Sequence, residues 1–304
     1  MSASVLAIVE MDNYPDQVVD RAAWLARLYD CELELLLSDP TASFLKDSFI
    51  VSTEVRDIAD DIHQAQDRML AEYADSASAE GIEVKTAISR ERPVADAIVA
   101  RTLELEPRFV VKGTRYHTAA ERATFAAADW QLIRSLEIPL WFVKPRAWSE
   151  EPLIVAAVDP THGHDKPARL DRKIVEAGRS VASRCSGRLE LVHSYQRMVE
   201  IGAKAMKTFK PLKLSVDELD AKIRDEHHAA LDAFAKANGI SADAVHQLPG
   251  RTEEVLPAFA HGHGASLVVM GAIARSGIKR RVIGNTAERS LDHLACDVLI
   301  VYPD

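Results

Sequence analysis

Gly271, Gly284, Asn285 and Thr286 are the residues whose types and spacing most directly suggest chemistry. They lie in LVVMGAIARSGIKRRVIGNTAERSLDHLACDVLIV, residues 267–301. There an apolar run ends in a glycine, a basic stretch follows, and Gly-Asn-Thr opens a helical pattern that leads to a second apolar run. A helix start exposes unpaired backbone N–H groups and about half a positive charge, so phosphate is a natural occupant. Gly284 lets the backbone approach an anion, and Asn285 and Thr286 add side-chain donors. Arg275, Lys279, Arg280 and Arg281 put positive charge in the same loop. The same residues also suit an ordinary helix cap with a solvated basic rim.

Asp159 closes another apolar run, LIVAAVDP. At the end of a central strand its carboxylate would accept hydrogen bonds from an adenine or a ribose, and Asp before Pro also starts turns. His193 ends the next apolar run. His162, His164 and Asp165 cluster after Asp159 but offer no fourth ligand for zinc, and His261 and His263 in HGHG fall at the other end of a strand. His227 and His228 are neighbours on a helical pattern and point apart. The three cysteines show no metal spacing, so no metal centre of the protein's own is expected. No Gly-x-Ser-x-Gly elbow, Walker loop or HExxH occurs, and no acid/base carboxylate pair stands out. Catalysis is expected to be absent, or a weak ATPase at most.

The elements that must position these residues repeat within the chain. Residues 81–143 lie over 239–301 without a gap, so that Gly81-Ile82 falls on Gly239-Ile240, FVVKG (109–113) on LVVMG (267–271) and PLWFV (139–143) on DVLIV (297–301). VLAIVE (5–10) matches LIVAAVD (153–159). Strands are expected near 4–10, 31–37, 82–88, 108–112 and 139–143, and again near 153–158, 188–194, 243–248, 266–270 and 297–302. Helical patterns alternate with them, as at 16–30 and 216–239. The runs are rich in Val, Ile and Leu and lack polar alternation, as strands buried on both faces do. The fold class is α/β: two tandem Rossmann-like domains, each a five-stranded parallel doubly wound sheet, over 1–147 and 148–304. Ligands of such sheets bind outside the C-terminal strand edge, where the strand order switches.

Net charge is −9, which argues against nucleic acid or an anionic membrane as partner. No apolar run approaches the roughly 20 residues of a membrane helix. The start, MSASVLAIVEMDN, lacks the basic and apolar regions of a signal peptide, and three scattered cysteines suit a reducing compartment, so a cytoplasmic location is expected.

GNTAERSLDHLACDVLIV (284–301), with LVVMG before it, resembles the universal stress protein family, and the tandem layout is similar to its two-domain members. Members that bind ATP carry G-x2-G-x9-G-(S/T) after the fourth strand. Here Gly271 takes the first place, Ala274 the second and Gly284 the third, with Asn285 where Ser or Thr is usual. The resemblance implies ATP or a related nucleotide, with Mg2+ able to accompany its phosphates. Asp159 would contact adenine or ribose, Met270, Gly271 and Ala274 would lie near the nucleotide, and Gly284, Asn285 and Thr286 would hold phosphates. In the first half Ala126, Ala127 and Ala128 stand in place of Gly-Asn-Thr, so phosphate binding in the family manner is not expected there, although Glu10 or Asp12 would still sit at its switch point. By resemblance the fifth strands pair, giving an internal pseudo-dimer in a monomer, or a homodimer. The implied role is a stress-response protein that signals its nucleotide state to an unidentified protein partner. Ala274 leaves open an alternative, a sensor of a non-nucleotide small ligand, or an interaction protein, with a relic glycine loop.

Overall fold

Runs of Val, Ile and Leu set the architecture, because parallel strands covered on both faces must be apolar throughout. The computed structural model describes residues 3–39, 53–79, 81–115, 128–161, 168–197, 216–272 and 290–303. The chain separates into two compact units, Met1–Pro145 and Arg146–Asp304.

Unit 1 runs β1 (Ser4–Val9), α1 (Pro15–Tyr29), β2 (Glu32–Ser38), α2 (Thr53–Ser78), β3 (Val84–Ser89), α3 (Val94–Leu105), β4 (Phe109–Gly113), α4 (Ala128–Ser135) and β5 (Leu140–Val143). Its strands are all parallel in the order β3-β2-β1-β4-β5. Every residue of β1 and β4 is buried, whereas β3, at the end of the order, is half-exposed. An aromatic cluster pins α1 to the sheet. Trp24 of α1 and Phe109 of β4 both meet Trp141 of β5 in T-shaped pairs, with centroids 6.5 and 6.0 Å away. Tyr29 meets Phe109 at 5.1 Å and carries the Arg108 guanidinium over its ring at 4.4 Å.

Unit 2 runs β6 (Leu153–Ala157), α5 (Ala168–Arg184), β7 (Arg188–Tyr195), α6 (Val216–Ala237), a 3-10 turn (Ala242–Ala244), β8 (Val245–Pro249), α7 (Thr252–Gly262), β9 (Ala265–Gly271) and β10 (Asp297–Val301). Its order is β8-β7-β6-β9-β10, again parallel. The two orders are the same winding, with the switch between β1 and β4 in one unit and between β6 and β9 in the other. The 3-10 turn takes the first residues of the strand expected near 243–248.

Backbone detail repeats as well. Gly81 and Gly239, aligned in the sequence, both follow the second long helix of their unit with positive φ, 82° and 63°. A side chain is strained there, and glycine is not. Asp30 and Ser186 end the first helix of each unit in the same left-handed conformation, φ 53° in both. The next residue, Cys31 or Gly187, donates its N–H back to Ala26 or Ala182 at 2.8 and 2.9 Å. No helix among the described residues is long and apolar enough to cross a membrane.

Candidate functional site at the switch point of unit 2

Parallel pairing of β6 with β9 aligns Ala156 with Val269, so the chain past Ala157 and the Met270–Gly271 end of β9 leave the sheet side by side. Asp159 stands there, held by its surroundings. Its backbone N–H donates to Asp171 Oδ1 of α5 at 3.0 Å, and Thr161 donates its hydroxyl to Asp159 Oδ1 at 2.7 Å. The Asp159 side chain keeps 26% of its surface exposed, so an oriented carboxylate faces solvent at the edge where ligands of this winding bind. Met270 is buried. Gly271 has a packing reason to be glycine, since a Cβ would lie 2.6 Å from Leu170 Cδ2 of α5.

Behind Asp159 lies a pair of histidines. His193 of β7 is 2% exposed, and its Nδ1 is 3.0 Å from the Val158 carbonyl oxygen. A carbonyl only accepts, so Nδ1 carries the hydrogen; in the neutral ring Nε2 then accepts from His227 Nδ1–H of α6, at 2.7 Å. His227 also lies against Tyr195, with centroids 5.4 Å apart. Its neighbour His228 turns away and sits 3.6 Å from Asp232. Asp159 Oδ1 is 3.9 Å from His193 Nδ1, too far for a hydrogen bond but close enough for attraction. His193 thus backs the carboxylate instead of lining an open pocket. Tyr195, with Arg197, Asp217, Asp220 and Arg224, borders a cleft of about 290 Å³ beyond β7 and β8, displaced from the switch point.

Burial is the largest influence on His193 and pushes its pKa below the ordinary 6.5; the Val158 carbonyl and Asp159 pull it up, and His227 lowers it further. The folded protein therefore keeps His193 neutral. Well above pH 6.5 the ring is neutral in both folded and unfolded chain, and no stability is lost. As pH falls below that value the unfolded chain takes the proton first. Stability then declines toward the lowered folded pKa, by up to about 1.4 kcal/mol per pH unit. Urea unfolding of the protein and of His193→Asn should show a smaller acid-side decline in the variant. Superimposable pH profiles would contradict this assignment.

Unit 1 places different chemistry at the corresponding edge. Ile8 of β1 pairs with Lys112 of β4, and Glu10 follows β1 directly. Lys112 Nζ lies 2.6 Å from Glu10 Oε2 and 2.8 Å from Asp129 Oδ1 of α4. Glu10 is thus at its switch point, as the repeat implies, but it faces a lysine.

Ala274, Gly284, Asn285 and Thr286 lie outside the described residues, as do His162, His164 and Asp165. Among the described residues no group of three or more His, Cys, Asp or Glu is arranged to hold a metal ion. Cys296 is buried.

The sequence profile of the Universal stress protein family matches the chain twice, over residues 1–144 and 153–302. The chain belongs to the Universal stress protein family. It is 31% identical over 224 residues to Universal stress protein E of Escherichia coli (strain K12), covering 73% of this chain and 69% of that one. It is 25% identical over 312 residues to the Universal stress protein E homolog of Haemophilus influenzae, covering 99% and 97%. A crystal structure of a putative universal stress protein from Pseudomonas aeruginosa covers all of this chain and 94% of its own, with a TM-score of 0.70 at 23% identity, a likeness of fold. The tandem arrangement is therefore a property this universal stress protein shares with relatives.

The sequence pointed to Asp159, Met270 and Gly271, and the fold of this universal stress protein brings the three together. The contact of His227 with His193 had no local signal, since the two are separated by 34 residues. Lys112 does have one: a single charge in an otherwise apolar strand needs a buried partner.

Proposed function

We propose that this universal stress protein is a cytoplasmic stress-response protein that binds ATP or a related nucleotide at the C-terminal edge of unit 2 and acts through ligand-dependent contacts with a protein partner. The observation that carries the reading is the oriented, part-exposed Asp159 carboxylate at the β6–β9 switch point. It would accept hydrogen bonds from the adenine or ribose. The loop that starts at Gly271 would supply phosphate ligands, with Gly284, Asn285 and Thr286 offering backbone and side-chain donors. Mg2+ would enter with the phosphates, because it is held largely through substrate oxygens and one or two carboxylates.

Titration calorimetry on the full chain tests this. One ATP per chain is expected. Asp159→Ala should weaken binding about tenfold to a hundredfold, the range of a hydrogen bond to a charged group. Gly284→Asp should abolish it by placing an anion against the phosphates. No heat with the unaltered chain would contradict the proposal.

A second reading, a sensor of a non-nucleotide small ligand, is favoured by Ala274 in the family's second glycine position and by the cleft bordered by Tyr195, whose cations and carboxylates balance. Co-purified small molecules, identified by mass spectrometry, separate the two.

A further inference from the structure

The two units share a winding, yet their ligand edges are built oppositely. Where unit 2 has Met270 and Asp159, unit 1 has Lys112 and Glu10. The Lys112 side chain is 2% exposed. Its three N–H donors meet three oxygens: Glu10 Oε2 at 2.6 Å, Asp129 Oδ1 at 2.8 Å and the Gly113 carbonyl at 3.2 Å. Each carboxylate is steadied by another donor. Asn13 Nδ2 donates to Glu10 Oε2 at 2.5 Å, and Thr114 donates its hydroxyl to Asp129 Oδ2 at 2.6 Å. The loop after β1 also lies on the end of β4, because a Cβ on Gly113 would fall 1.8 Å from the Asn13 carbonyl oxygen.

We propose that Lys112 is the resident occupant of unit 1's ligand edge, its ammonium filling a cage made by Glu10, Asp129 and the Gly113 carbonyl, and that this closes unit 1 to nucleotides and other anions. Among the described residues one cation is enclosed by two carboxylates and its three N–H donors are taken, so an arriving phosphate meets negative charge there. Burial alone would lower the pKa of Lys112; the Asp129 and Glu10 carboxylates more than offset it and hold the amine protonated. Lys112 thereby decides which of the two repeats takes a ligand. This deepens the single-site reading above and rests on it for unit 2, but the cage in unit 1 stands on its own contacts.

The full chain carrying Lys112→Ala, which removes the atoms of a propylammonium ion, tests the cage. Propylammonium chloride should raise the melting temperature of the variant by several degrees over sodium chloride at equal ionic strength, and leave the unaltered protein unchanged. 1-Propanol, of similar size and neutral, should not. Equal rescue by both, or by neither, overturns the cage. Should the variant not fold, acetylation of the unaltered protein decides: Lys112 should stay unmodified while exposed Lys85 and Lys222 react, and prompt modification overturns the assignment. Closure is read by photolabelling the unaltered chain with an azido-ATP. Labelled peptides from residues 1–145 overturn it. Labelling of neither unit removes the nucleotide reading of unit 2 and leaves the amine rescue to decide the cage.

Discussion

Replacing Lys112 by Met should cost unit 1 about 3–5 kcal/mol, the range for removing one partner of a buried ion pair. The shape of the substitute is acceptable, since unit 2 carries Met270 at the aligned position. The cost is electrostatic. Glu10 and Asp129 would be left largely buried, with side chains 13% and 5% exposed, and without their shared cation. The triple variant Lys112→Met, Glu10→Gln, Asp129→Asn removes all three charges and keeps the outer donors supplied by Asn13 and Thr114. It should recover most of the loss, because neutral replacements of buried ion clusters are often close to neutral in stability. Denaturant unfolding followed by tryptophan fluorescence reads unit 1 selectively, as Trp24, Trp130 and Trp141 belong to it and Trp148 alone to unit 2. A single Lys112→Met variant as stable as the unaltered protein would show that the cluster carries little.

Gly113→Ala is the second large effect. Its Cβ would fall 1.8 Å from the Asn13 carbonyl oxygen and 2.8 Å from the carbonyl carbon, and both are backbone atoms fixed by the loop after β1. The loop must move, at a cost of about 3 kcal/mol, the upper end of ordinary overpacking. Gly271→Ala, at the aligned position of unit 2, meets Leu170 side-chain atoms at 2.6 and 2.7 Å. A leucine can rotate, so about 1 kcal/mol is expected there. Thermal unfolding of the two variants should therefore rank Gly113→Ala well below Gly271→Ala. The reverse order would mean that the β1–α1 loop does not rest on β4.

The repeat explains why so much of the fold could be read in advance. Apolar runs such as VLAIVE and LVVMG lack polar alternation, as parallel strands covered on both faces do. Gly81 and Gly239 mark helix ends because positive φ excludes most side chains. The Asp159–Met270–Gly271 grouping follows from the winding alone, which brings β6 and β9 together. What lay beyond reading depends on contacts between distant segments. His193 meets His227 across 34 residues, and no periodicity encodes that meeting. Asp129 reads as part of an alanine-rich helix, and only the fold turns it toward Lys112. Gly271, which the resemblance sets near the nucleotide, and Gly113, its counterpart in the repeat, each have a protein neighbour where a Cβ would stand, and no local pattern in the sequence shows it.

The two repeats thus present one family fold with two different edges: an oriented carboxylate in unit 2 and an internally neutralised lysine in unit 1. The most direct measurement is hydrogen exchange of the full chain with and without saturating ATP and Mg2+. Slowed exchange is predicted in peptides covering 158–161 and 270–272, with peptides covering 9–14 and 112–114 unchanged. Protection at the unit 1 edge, or none at either edge despite measured binding, would contradict the account.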